Sequence, residues 1–177
     1  MIGFLRFLGL LTVAVWLGGA IFFTLAAGTA AFSPDMKALL TTNYPYYSGA
    51  IAQIFVARYF RFQTVCGLIA IIHLLAEWLY LGKSPQQMWF SLLIGLVCLG
   101  LFGQFVVQPK MKVLHTIKYA TNTSPEAKQA ADQTFRAWHG ATQIANLLVM
   151  CGLLAYFWRM ANPPESTRFV STAKFTS

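Results

Sequence analysis

Met88–Val107 reads MWFSLLIGLVCLGLFGQFVV, and no charged residue interrupts it. A helix needs about 20 apolar residues to cross a ~30 Å hydrocarbon core, and this run has that length. Three more runs flank it: Ile2–Phe32 and Ile54–Leu81 on its N-terminal side, Ala141–Met160 on its C-terminal side. Each reaches the crossing length, so the chain reads as an all-α, four-helix transmembrane bundle. Residues 1–162 form the integral membrane domain, and 163–177 form a polar C-terminal tail.

Composition points the same way. Of the 177 residues, 57% are hydrophobic and only 10% charged, against about 25% charged in soluble domains. The formal net charge is +8, yet no basic stretch is interleaved with a nucleic-acid motif. The expected partner of that charge is an anionic lipid bilayer, and nucleic acid is set aside. Cys66, Cys98 and Cys151 each fall inside a span; an odd number without paired spacing reads as packing residues, not a disulfide framework. Arg6 and the small residues Ala26–Ala31 imitate a secretory signal. The apolar stretch exceeds the 7–15 residues of a signal core, so it reads as a retained first helix.

Punctuation divides the runs. In helix one, Gly18 and Gly19 follow Trp16-Leu17 and invite a close backbone approach, with Ala14 and Gly18 in small-xxx-small spacing. Pro34 ends that helix. The segment Asp35–Gln53, with Tyr44, Tyr46 and Tyr47, is too polar to span and suits an interfacial loop or short helix. Helix two begins near Ile54 and stops before Gly82; the short connection Gly82–Gln87, with Ser84-Pro85 as turn and helix start, makes helices two and three antiparallel neighbours. Pro109 is expected to kink or break helix three. Ser124-Pro125-Glu126 starts helix four outside the membrane. The result is an extended helical hairpin between helices three and four.

Orientation follows from the basic residues. Arg6, Lys83, Arg159, Arg168 and Lys174 lie on the side of the termini, which is five; Lys37, Arg58, Arg61, Lys110, Lys112, Lys118, Lys128 and Arg136 lie on the other, which is eight. The positive-inside rule then puts loops one and three in the cytoplasm. If Arg58 and Arg61 sit at membrane depth, the balance narrows to six against five.

Polar residues inside the spans are the functional leads, because each needs a partner in hydrocarbon. His139, Gln143, Asn146 and Met150 share one face of helix four, which is expected to look into the bundle. Arg58 and Arg61 stand at the entry of helix two. Cys66, His73 and Glu77 follow on one face of it, and His73 with Glu77 forms a possible relay or ligand pair. Interhelical hydrogen bonding and a ligand or ion path are both open readings of these stripes. Helices two and four are the expected walls of a polar vestibule opening toward loops one and three. His73 and His139 would be offset by about 10 Å, two turns at 1.5 Å per residue, and no Cys-x-x-Cys-His, His-x-x-x-His or Glu-x-x-His spacing occurs. No cofactor or metal site is expected.

Trp16-Leu17-Gly18-Gly19, then Gly49-Ala50-Ile51 before Arg58-Tyr59-Phe60, then Phe135-Arg136-Ala137-Trp138-His139-Gly140 with Asn146 resemble the bacterial family called domain of unknown function 4149. That family is similar to eukaryotic transmembrane protein 205. The resemblance runs from Phe4 to Tyr156 and implies a four-helix membrane protein of the bacterial inner membrane without an assigned activity. The family's apolar Ala-Pro-x-x-Phe turn is here Ala31-Phe32-Ser33-Pro34-Asp35. With no nucleophile–base pair and no acidic metal cluster, the expectation is a non-enzymatic structural or accessory component of a larger membrane assembly or homo-oligomer. A transporter for a small solute or metal ion is the alternative, and haem or copper held by His73 and His139 a third reading.

Overall fold

The computed structural model describes residues 2–82 and 86–162, and every element in them is helical. Helix α1, Ile2–Phe22, continues through a π turn, Phe23–Ala27, and a last α turn, Gly28–Ala30. A short α2, Pro34–Leu40, and a 3-10 turn, Thr41–Asn43, lead into α3, Tyr44–Leu81. Helix α4, Gln87–Phe102, passes through a second π turn, Gly103–Val107, into α5, Gln108–Tyr119. Helix α6 is Pro125–Ala161. Ser84-Pro85, Lys83 and the tail 163–177 lie outside the described residues.

Local chemistry accounts for the ends. Ser33 and Ser124 accept hydrogen bonds from the Met36 and Ala127 amides at 3.2 and 3.3 Å, and a proline occupies the first turn after each. That is the arrangement in which a missing N–H costs nothing and a hydroxyl satisfies an orphan donor. Gly82 closes α3 at φ 65°, a left-handed conformation that only glycine adopts freely.

Two boundaries differ from the sequence reading. Helix α3 starts at Tyr44 rather than near Ile54, because hydropathy registers where a helix enters lipid and not where it begins; Pro45 sits in the first turn, where it fits. Pro109 neither breaks nor ends the third helix. The chain widens into the π turn just before it, where the Gln108 amide reaches back to the Gly103 carbonyl. A proline ring crowds the carbonyl four residues earlier, here that of Phe105, and the wider turn accommodates it.

The four long helical stretches are each long and apolar enough to cross a membrane. Helix α1 packs on α3 and α6, and α4 packs on the same two, giving an up-down-up-down square. Its centre holds Trp16, Ala20, Cys66, Leu74, Leu93, Leu96, Leu153 and Tyr156, all buried. The outside is equally apolar: Phe22, Ile72, Leu79, Leu147 and Leu154 are among the exposed large side chains. A surface that apolar over its whole girth belongs in lipid. The chain is a membrane protein.

Trp78, Trp89 and Trp158 mark the interface on the side of the termini. About 20 residues from each along its helix stand Arg58, Gln108 and Trp138, which define the other. Helix α3 has 38 residues, so at 1.5 Å each it is about 57 Å long and projects roughly 25 Å beyond the hydrocarbon. The first part of α3, α5 and the first part of α6 pack there as a helical extension, around buried Met111, Leu114, His115 and Ala131. Asp132 ties it together, 2.5 Å from Lys118 and 2.8 Å from Arg136. The hydrogen bond from Lys118, supported by the Arg136 guanidinium, holds the Asp132 carboxyl below the usual carboxylate range.

Candidate functional site

Three consecutive residues of α3 organise the polar chemistry near the end of the spans away from the termini. Successive side chains on a helix point about 100° apart, so Tyr59, Phe60 and Arg61 fan toward three different neighbours. Tyr59 turns to α1 and α6, Phe60 turns to α4, and Arg61 turns outward beside the second π turn.

The Tyr59 hydroxyl donates to Asn146 Oδ1 at 2.5 Å, and Asn146 Nδ2 donates to the Thr24 hydroxyl at 2.8 Å. Thr24 donates in turn to the Ala20 carbonyl at 2.7 Å. A threonine hydroxyl that competes for a carbonyl four residues back loosens the helical ladder, and Thr24 lies within the π turn of α1. There the Gly28 amide reaches the Phe23 carbonyl, and the Phe23 ring stacks on Tyr59 with centroids 4.0 Å apart. Donors and acceptors close on one another across α1, α3 and α6. A turn deeper, Trp16 Nε1 donates to Gln63 Oε1 at 3.0 Å, both residues being buried.

On the other side of α3, Phe60 inserts its ring against Gly103, where a side chain would have no room. Next to it Ala57, Arg61, Gln104, Phe105 and Gln108 line an open groove of about 210 Å³. The Thr64 hydroxyl meets Gln104 Oε1 at 3.3 Å. The same hydroxyl donates to the Phe60 carbonyl at 3.0 Å, so Gln104 is held at the groove beside Thr64.

The extension carries a third polar centre. His115 is buried between the start of α3 and α5, with the Tyr46 and Tyr119 rings 5.4 and 4.9 Å away. It bonds the Tyr46 backbone, while its Nε2 is buried without a partner against Gly49. Burial, reinforced by the nearby Lys118 charge and opposed by the Tyr46 bond, lowers its pKa from the ordinary histidine value.

The residues singled out in the sequence do not converge on one place. Asn146 lies in the closed network. Arg61 lines the groove, and Arg58 is exposed at the interface. His139 and Gln143 face outward, hydrogen-bonded to each other at 3.1 Å, so the helix-four stripe does not look into the bundle along its whole length. The reason lies in α1. Asn146 pairs with Thr24, so in this antiparallel pair the two preceding turns of α6 pass Ala27-Gly28 and Ala31, which have too little side chain to enclose anything. The vestibule expected between helices two and four is therefore replaced by a groove between α3 and α4.

His73 and Glu77 do not act as a pair: His73 Nε2 meets the Leu5 carbonyl at 2.7 Å, and Glu77 is half-buried near the terminal interface. His73 lies some 15 residues from the depth of Arg58, so it stands about 20 Å from the level of His139, twice the expected offset. Those two histidines cannot ligate one group. Among the described residues no cluster of three or more His, Cys, Asp or Glu side chains converges. At the packing motif, Trp16 fills the core and Gly19 accommodates the Phe62 ring rather than a backbone, while Gly18 faces open space.

Thr24 and Tyr59 were not singled out as site residues. Tyr59, Gln63 and Cys66 do follow helical i, i+4, i+7 spacing, a signal that was present; nothing in the sequence marks a π turn at Thr24.

The sequence model of the domain of unknown function DUF4149 matches residues 11–120. The chain belongs to the DUF4149 family. The match takes in Trp16, Thr24, Tyr59, Arg61, Gln63, Gln104 and Gln108 but stops before Phe135–Asn146, the segment most specific to the resemblance. No curated protein and no solved structure matches this DUF4149 chain.

Proposed function

We propose that this DUF4149 protein is a non-enzymatic component of a membrane assembly, a helical scaffold whose buried polar residues hold its own spans together. One observation carries the reading. The central polar chain Thr24–Asn146–Tyr59 is closed on itself, whereas a transport path or a catalytic site needs polar groups left open to a ligand. Interhelical hydrogen bonds of this kind stabilise a bundle by about 0.6–2 kcal/mol each. The outward-turned His139 and Gln143 are the groups on α6 that a neighbouring membrane helix would meet. The excess of Lys and Arg around the extension supports placing it in the cytoplasm of a bacterial inner membrane.

Native mass spectrometry of the protein, extracted gently from its own membrane, tests this. Co-isolation with other subunits in fixed stoichiometry is the expected result. A chain found alone or only with copies of itself, mediating solute flux in proteoliposomes that Asn146→Ala abolishes, overturns it in favour of a transporter.

A further inference from the structure

The groove beside the second π turn is polar where the surrounding surface is apolar. Arg61 lies three residues past the interface residue Arg58, so its Cα is about 4.5 Å inside the hydrocarbon. Gln104 is one turn inside from Gln108. A guanidinium at that depth is costly unless an anion or water meets it, and among the described residues no carboxylate pairs with Arg61. Of the acids at that end, Asp132 is already held by Lys118 and Arg136, and neither Asp35 nor Glu126 forms an ion pair with Arg61 among the described residues. Arg61, Gln104 and Gln108 thus present hydrogen-bonding groups, and no acceptor of opposite charge, to one opening.

The opening has a size and a grain. At about 210 Å³ it holds far more than a single water, which needs roughly 10–15 Å³ by a comparable measure. Its floor is Ala57, small enough to leave the space open. Its wall toward the lipid is Phe105, 67% exposed. One turn nearer the water stand Arg58 on α3 and Lys112 on α5, both exposed. The groove sets an exposed aromatic face beside a guanidinium and two amides, with two further cations at the boundary. An acidic glycerophospholipid brings the matching parts: an acyl chain, a phosphodiester, and a headgroup without a cation to repel.

We propose that Ala57, Arg61, Gln104, Phe105 and Gln108 form a binding site for the phosphate of an anionic membrane lipid. Arg61 takes two phosphate oxygens through its planar fork, the geometry for which guanidinium is suited and a lysine is not. Gln104 and Gln108 donate to the remaining oxygens, and the acyl chain lies along Phe105. Gln104 and Gln108, one turn apart, share the groove side of a helix that otherwise shows apolar residues to lipid.

The test is native mass spectrometry of the full-length protein in nanodiscs of mixed phosphatidylglycerol and phosphatidylcholine, followed by detergent release and lipid counting. The wild type is expected to retain phosphatidylglycerol over phosphatidylcholine by about tenfold, equivalent to about 1.4 kcal/mol. Arg61→Gln, which removes the charge, and Ala57→Leu, which fills the groove and keeps the charge, are each expected to abolish that preference. Arg58→Gln is expected to change it less than about threefold, since a boundary cation contributes mainly through the general surface potential. Equal retention of both lipids by the wild type, or full preference in Arg61→Gln and Ala57→Leu, overturns the proposal. A third arm adds inorganic phosphate to lipid-stripped protein: tight binding there, without retention of phosphatidylglycerol, would make the ligand a soluble phosphate and overturn the lipid assignment.

Discussion

Two π turns, Phe23–Ala27 after α1 and Gly103–Val107 after α4, each set a polar side chain against a neighbouring helix. Their outcomes are opposite. At Phe23–Ala27, Thr24 joins Asn146 and Tyr59 in a chain with its hydrogen bonds made. At Gly103–Val107, Gln104 opens onto a groove beside an unpaired Arg61. The backbone device is the same, so what stands opposite decides. Tyr59 has one hydroxyl that a single carboxamide satisfies. Arg61 has five donors and a full charge, and among the described residues no carboxylate pairs with it, so neutral partners leave that charge uncompensated. A polar residue in a membrane helix is therefore not a functional site by virtue of being polar; the number of donors left over distinguishes adhesive from binding surface.

The largest expected effect tests what separates the two regions. Phe60 stands between them, seated on Gly103, and a Cβ at Gly103 would overlap its ring. Gly103→Ala is expected to cost about 1–3 kcal/mol, the usual penalty of overpacking, and to part α3 from α4. Gly95 offers the control, because nothing stands near its Cβ position. Gly95→Ala should be neutral or stabilise the helix by up to about 1 kcal/mol. Reversible unfolding in mixed micelles reads both; equal behaviour of the two variants would remove Phe60 as the divider.

Next in size is the closed network. Asn146→Ala strips partners from both Tyr59 and Thr24 and is expected to destabilise the bundle by about 1–2 kcal/mol. Tyr59→Phe, which leaves Asn146 still bonded to Thr24, should cost less, about 0.6–1 kcal/mol. In a double-mutant cycle the two should be clearly non-additive, since they act on one hydrogen bond. Additive losses would mean that the network is not a unit.

How far these sites could be read in advance depended on what encodes them. Four apolar runs declare four crossings, and Ser124-Pro125 declares the start of α6, because bilayer thickness and capping chemistry act on composition and local sequence. The π turns leave no such trace: Thr24 and Gln104 resemble any threonine or glutamine in an apolar helix. His139, Gln143, Asn146 and Met150 recur at helical spacing, yet only Asn146 and Met150 meet the bundle. Helical periodicity gives a direction, while enclosure depends on the size of side chains on another helix, here Ala27, Gly28 and Ala31. The groove is legible only in part: helical spacing puts Gln104 and Gln108 on one face, but that this face meets Arg61 depends on how α4 packs on α3.

His115 is an intermediate case outside the membrane, with one ring nitrogen bonded and Nε2 not. Its folded pKa lies below the ordinary value of about 6.5, so the opened extension binds the proton first as pH falls. Stability is complete above about 6.5 and declines below it toward the folded pKa. The packing of α3 on α5 should loosen over that interval, as read by hydrogen exchange of the Met111–Tyr119 amides. His115→Gln should flatten the dependence, and an unchanged slope would assign the effect to another group.

The smallest expected effect bears most directly on the comparison. If the groove is an open site and not a brace, Arg61→Gln should change stability by no more than about 0.5 kcal/mol in detergent free of anionic lipid, the range for surface substitutions. Adding phosphatidylglycerol should then stabilise the wild type in proportion to lipid concentration and leave Arg61→Gln unmoved, because a ligand that binds only the folded state raises its stability by mass action. Asn146→Ala should respond to the lipid as the wild type does, from a lower starting point. A loss in Arg61→Gln as large as that in Asn146→Ala, with no lipid present, would show that both π turns serve cohesion and that leftover donors do not mark a site.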